Sequence, residues 1–133
     1  MTSKVFFDTN VLVYTIGQHD DRTPAAEALL LNGGVISVQV LNELAAVARK
    51  KLGMSWPDVT EALDAIRVLC PAALPITVDT HDAALRLVSQ YGFHIYDALI
   101  VSSALEAGCD TLYTEDLQSG QVIDGRLTLQ NPF

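Results

Sequence analysis

The chain is expected to fold as a three-layer α/β/α sandwich with a mostly parallel central sheet of about five strands. Short apolar segments rich in Val, Ile, Leu and Phe alternate with longer segments whose apolar residues recur at helical spacing. The strand segments read as lacking hairpin turns, so parallel strands joined by right-handed crossovers are required. With 133 residues, half of them hydrophobic, the chain holds enough apolar matter for one core, and a single domain over residues 1–133 is expected.

The first strand is Val5-Phe6-Phe7, a run apolar on both faces that stops on Asp8, Thr9 and Asn10. Residues 11–16 read as a short helix with Gly17 as its αL stop, and residues 18–22 as a polar loop. Thr23-Pro24 reads as a helix N-cap followed by Pro in the first turn, and Asn32-Gly33-Gly34 ends that helix. Residues 35–38 form the second strand. From Gln39 a helix runs to Lys51 or Leu52, its core stripe made by Leu41, Leu44, Ala45, Ala48 and Leu52. Arg49, Lys50 and Lys51 close it, and their plainest reading is compensation of the helix dipole.

Ser55 and Asp58 are spaced like a capping box at the head of the next helix. Pro71 and Pro75 bracket a linker, Ile76-Thr77-Val78 reads as the third strand, and Thr80 as the cap of a helix stopped by Gly92. Tyr96, Leu99, Ile100, Ser103, Ala104 and Ala107 make the stripe of a further helix. Residues 111–114 and 127–129 supply the fourth and fifth strands.

The formal net charge of −8, with only eight Lys and Arg residues, excludes a binder that holds nucleic acid by a broad basic surface. It leaves nucleic acid open as a substrate, because bound cations can neutralise phosphates locally. Cys70 and Cys109 are isolated and read as buried thiols. The opening apolar run is too short for a secretory leader, no run reaches membrane-spanning length, and a cytoplasmic location is expected. His19, His81 and His94 are scattered, and His94, three residues before Asp97, reads as an exposed or core-edge side chain. Trp56 can stack on a base, whereas Tyr91 and Tyr96 read as packing residues.

Four acidic residues stand out by position. In an open α/β sheet ligands gather beyond the carboxyl ends of the strands. Asp8 and Glu115-Asp116 both follow apolar strands, and Glu43 and Asp97 lie near the starts of helices. Converging there, these oxygen donors would suit Mg²⁺ or Mn²⁺, with no His or Cys cluster to favour zinc. Each also has an ordinary role: Asp8 as a helix cap, Asp97 as a charge at a helix N-terminus, Glu43 as a solvated side chain, Asp116 as part of a turn. Spacing proposes a metal site and names no reaction.

Asp8-Thr9-Asn10 after its strand, Glu43 within Val40-Leu41-Asn42-Glu43-Leu44, Asp97-Ala98 opening an apolar helix, and Thr114-Glu115-Asp116-Leu117 after another strand resemble the PIN-domain ribonucleases. In size and element order the chain is similar to the VapC-type toxins of type II toxin–antitoxin pairs. The resemblance implies Asp8, Glu43, Asp97 and Asp116 as the catalytic, metal-holding set, with Asn10, Thr114 and Glu115 as supports. It also implies Mg²⁺ as cofactor with Mn²⁺ able to substitute, an RNA substrate, a cognate antitoxin and a homodimer. Water, not the RNA 2′-hydroxyl, would attack the phosphodiester, leaving 5′-phosphate and 3′-hydroxyl ends. Two other readings are weaker. A binding module of this fold with little nuclease activity would not need all four acidic positions, and a phosphoryl-transfer enzyme using Asp8 would want a second Asp where Asn10 stands.

Overall fold

A computed structural model describes residues 3–17 and 19–133, so Gln18 of the expected polar loop lies outside the described residues. The elements run β1 (Val5–Phe7), α1 (Thr9–Leu12) continued by a 3-10 turn (Val13–Thr15), α2 (Thr23–Leu31), β2 (Ile36–Ser37), α3 (Val38–Lys50) and α4 (Trp56–Leu69). They continue with β3 (Ala73–Leu74), α5 (Val78–Tyr91), α6 (Ile95–Glu106), β4 (Thr111–Tyr113), β5 (Val122–Ile123) and β6 (Leu127–Gln130).

Four strands form a sheet in the order β1-β4-β6-β5, and β2 pairs with β3. A parallel bridge between Phe6 and Val35 continues the sheet across the free edge of β1 towards β2. There the Phe7 N–H donates to the Val35 carbonyl at 3.1 Å and the Val35 N–H to that of Val5 at 2.9 Å. Every named pairing is parallel except β5 with β6. Successive strand residues face opposite sides of a sheet. Phe6 and Phe7 are both fully buried, so helices cover both faces of β1 and the three-layer architecture follows. α6 is buried from Ala98 through Leu105. A helix apolar on all sides is an internal one, and α6 carries Asp97 into the molecule on its first turn.

Several local expectations change. The second strand is shorter than expected because Ser37 turns its hydroxyl to the Val40 N–H and caps α3, which then starts at Val38. Residues 76–78 are not a strand: Thr77 is the N-cap of α5, and Thr77 and Thr80 complete a capping box. The third strand is instead Ala73–Leu74, inside the expected linker. Thr23 does not cap α2, since its hydroxyl accepts from the Asp20 N–H at 3.0 Å. Of the Ser55/Asp58 box only the Ser55 half is formed. The first short helix starts at Thr9, and Gly17, at φ +158°, is not the αL residue expected. Tyr96 is 56% exposed and faces the His94 ring, contrary to the packing role expected of it.

Among the described residues the strands number six, because β5 and β6 form a hairpin. Ile123 and Arg126 close its turn by a 3.0 Å hydrogen bond, and the central residues Asp124 and Gly125 both have positive φ, 52° and 67°. That is the backbone of the type I′ turn for which Asp-Gly is a preferred pair.

Candidate active site

The parallel register of β1 and β4 sets the frame. Phe7 lies opposite Tyr113 and the Asp8 N–H donates to the Tyr113 carbonyl at 3.0 Å, so Asp8 and Thr114 leave the sheet side by side at its carboxyl edge. Asp8 is only 3% exposed and Thr114 fully buried. The Asp8 carboxylate accepts from the Thr9 N–H at 2.7 Å and, on its other oxygen, from the Thr114 hydroxyl at 2.9 Å. The ordinary role of Asp8 as a helix cap is therefore real, and the same geometry fixes its carboxylate. Asn10 braces the motif by donating to Asp8 at 3.4 Å and accepting from the Glu115 N–H at 3.1 Å. The Asp116 N–H donates to the Thr114 hydroxyl oxygen at 3.3 Å, tying the start of the next loop to the same hub.

Glu43 sits in α3 and is partly buried. The Thr9 hydroxyl donates to one of its oxygens at 2.7 Å and the Gln39 amide to the other at 2.9 Å. Asp97 is partly buried and Asp116 exposed. Asp8, Asn10, Glu43, Asp97, Glu115 and Asp116 line one cavity of about 460 Å³. All the sequence-predicted residues thus gather at one place; Thr114 is the one behind the wall, acting through Asp8 and Asp116.

Burial pushes the Asp8 carboxyl up to about 7. Its hydrogen bonds from Thr114 and the Thr9 N–H oppose that rise, and the charges of Glu43 and Asp97 add to it. Asp97 is raised as well, first by burial and then by Asp116 and Glu43, with His94 opposing. Carboxylates raised by one another are a set that a cation would stabilise. The lining offers oxygen donors and no His or Cys, which fits Mg²⁺ or Mn²⁺. Among the described residues, no three acidic, His or Cys side chains form a ready-made metal cluster. The four carboxylates share the cavity without closing on a point. Asp8 and Glu43 are each held by hydrogen bonds from their own surroundings.

Sequence reasoning missed part of this site. Thr9 was legible only as part of a motif, and its bond to Glu43 spans two helices. Gln39 stands one helical turn before Glu43, a spacing that could have been read. Tyr14 and Arg22 left no such signal. The Tyr14 hydroxyl meets both Glu115 oxygens, at 3.0 and 2.9 Å, and Arg22 Nε lies 3.0 Å from Glu115 Oε1. Glu115 is therefore already engaged by a phenol and a guanidinium, unlike the other acidic residues of the cavity. Lys51, read as a dipole-compensating charge, also lines the cavity.

Comparison with known proteins bears on this arrangement. Over nearly their whole lengths the chain and a toxin–antitoxin complex from Klebsiella pneumoniae superpose, with 98% of each covered, at a TM-score of 0.73 and 20% identity. VapC20 of Mycobacterium tuberculosis, described as a sarcin–ricin loop cleaving toxin, superposes at 0.69 with 20% identity, covering 85% of this chain and 90% of its own. VapBC2 of Rickettsia felis, solved with a DNA fragment from its promoter, superposes at 0.68 with 25% identity, covering 96% and 97%. No curated protein matches the sequence. The sequence model of the PIN domain matches residues 5–122, which take in all four acidic positions. The chain belongs to the PIN domain family.

Proposed function

We propose that this protein is a divalent-metal-dependent endoribonuclease, the toxin of a toxin–antitoxin pair, acting in the cytoplasm. The observation that carries the reading is the single cavity lined by Asp8, Glu43, Asp97 and Asp116 at the carboxyl edge of the sheet. These four would hold Mg²⁺, with Mn²⁺ able to replace it. When bound, such a cation lowers the pKa of water and offsets phosphate charge.

The chain's own residues do the rest. Thr114 and Asn10 fix the orientation of Asp8, and Thr9 and Gln39 fix that of Glu43. Val13, Ala46 and Val47 give the cavity an apolar wall against which a sugar or base can rest. In the hydrolysis, the oxygen of water bonds to phosphorus in line with the departing 3′-oxygen. The P–O3′ bond breaks, and the products carry 5′-phosphate and 3′-hydroxyl ends. Glu115, tied to Tyr14 and Arg22, holds the Asp116 loop against the site.

The similar structure described as a toxin–antitoxin complex supports a cognate antitoxin as partner. The net charge of −8 favours a basic antitoxin segment over the acidic cavity of this chain. The toxin itself would be a homodimer. Among the described residues no helix is long and apolar enough to cross a membrane.

Partner-free protein and an Asp97→Asn variant, incubated with a mixed RNA pool in Mg²⁺ or Mn²⁺, test the reading. Discrete cuts with 5′-phosphate ends, absent with EDTA and in the variant, are expected. Absence of cleavage with either metal would replace the enzyme by a binding module of the same fold.

A further inference from the structure

Five carboxylates line the cavity, and Lys51 is the one cationic side chain among the lining residues. It follows α3 directly, eight residues after Glu43. At 1.5 Å per residue the two lie about 12 Å apart along the helix, much further than one phosphate group spans. Ala46 and Val47 line the cavity between them. Of the three basic residues that end α3, Arg49 is engaged: it donates to the Met54 carbonyl at 3.0 Å and stacks over Trp56. Lys50 is exposed and does not line the cavity. Lys51 does line it, and among the described residues makes no ion pair and no side-chain hydrogen bond.

A lone cation at the rim of an acidic cavity raises the question of its partner. The carboxylates beside the reacting phosphate repel every other phosphate of the strand, so a polyanion needs an attractive contact beyond them. The apolar stretch of Ala46 and Val47 is suited to a sugar or base, and Lys51 beyond it to a phosphate. We propose that Lys51 binds a phosphate flanking the scissile one in single-stranded RNA, and so sets the direction in which the strand crosses the cavity. This rests on the nuclease reading. Lys51 is a positioning residue in it: its charge holds the strand and takes no part in bond breaking.

The test compares wild type with Lys51→Gln and Lys51→Arg, with Lys50→Gln as the control for general charge loss. Steady-state cleavage of single-stranded RNA in Mg²⁺ is followed across a salt series. Binding of a fluorescein-labelled single-stranded oligoribonucleotide is followed by anisotropy in Ca²⁺ across the same series. Lys51→Gln is expected to raise KM about fivefold, the upper range for an exposed charge pair, with kcat unchanged. It is also expected to flatten the slope of log affinity against log salt by about 0.7, the value for one phosphate contact on a single strand. Lys51→Arg should behave as wild type, and Lys50→Gln should leave the slope unaltered. An unchanged slope in Lys51→Gln, a loss confined to kcat, an equal effect of Lys50→Gln, or no RNA binding by wild type would each overturn the proposal. RNA binding with the expected slopes but no cleavage by wild type would instead sink the nuclease reading and leave the phosphate contact standing.

Discussion

Asp8 is nearly inaccessible, accepts hydrogen bonds from a backbone N–H and a buried hydroxyl, and faces two other carboxylates. Its position between strand and helix makes it a cap, and its burial makes it reluctant to ionise. The folded protein keeps the Asp8 proton up to about pH 7, whereas the unfolded chain releases it near its ordinary value of 3.8. Through that interval the native state binds more protons at this site, so the contribution of Asp8 to metal-free stability falls as pH rises and is fully lost above about 7. The full difference is about 4 kcal/mol at 1.36 kcal/mol per pKa unit. Asp8→Asn removes the titration while keeping an oxygen for the Thr9 N–H. Urea unfolding with EDTA present should find the variant less stable than wild type near pH 4 relative to its standing at pH 8, where it should be the more stable. A constant difference between the two proteins across that range would mean that burial does not hold the proton on Asp8. At this scale Asp8, Asp97 and Asp116 were legible because each follows a strand or opens a helix, whereas Glu43, inside α3, stood out by its motif. The partners of Glu115 were not, because Tyr14 reaches it across 101 residues of chain and no local pattern encodes that meeting.

At the scale of elements, β1 delivers Asp8, and β1 is held by close packing. A Cβ placed on Gly34 would lie 2.6 Å from the Phe7 ring. The chain can pass alongside β1 there only without a side chain. Gly34→Ala is expected to cost about 2 kcal/mol, as overpacking of a filled core does, with the denaturant midpoint lowered and the m-value unchanged. The push falls on the residue before Asp8, so cleavage should drop as well. A variant with wild-type stability would show that Phe7 swings aside freely. The errors of sequence reading also belong to this scale. Ile76-Thr77-Val78 has the β-branched composition of a strand, but Thr77 and Thr80 use their hydroxyls on each other's backbone N–H groups and start α5. Ala73-Leu74 carries no periodic signal in two residues, and only its pairing with β2 makes it a strand. The β5–β6 hairpin has a readable sign in Asp124-Gly125, but the strands of two and four residues that flank it carry little periodic signal. Arg86 and Tyr91 of α5 both bond to Asp124 and hold that turn against the helix.

Across the whole molecule, topology does what no single segment can. Parallel pairing of β1 with β4 brings Asp8 and Thr114 together, α3 adds Glu43, and the buried α6 adds Asp97. The alternation of elements made this layered plan legible from the sequence, and with it the edge where the carboxylates gather. The plan did not reveal how closely they gather. Asp8 and Glu43 are held by hydrogen bonds from Thr114, Thr9 and Gln39, which depend on rotamers and not on pattern. These carboxylates are proposed to form one divalent-cation site. Calorimetric titration of Mn²⁺ into the partner-free protein near pH 7, beside Asp97→Asn and in buffers of different ionisation heat, tests it most directly. Saturable binding that releases a proton from Asp8 and weakens sharply in the variant is predicted. Binding that is absent, or equally strong in Asp97→Asn, would contradict it.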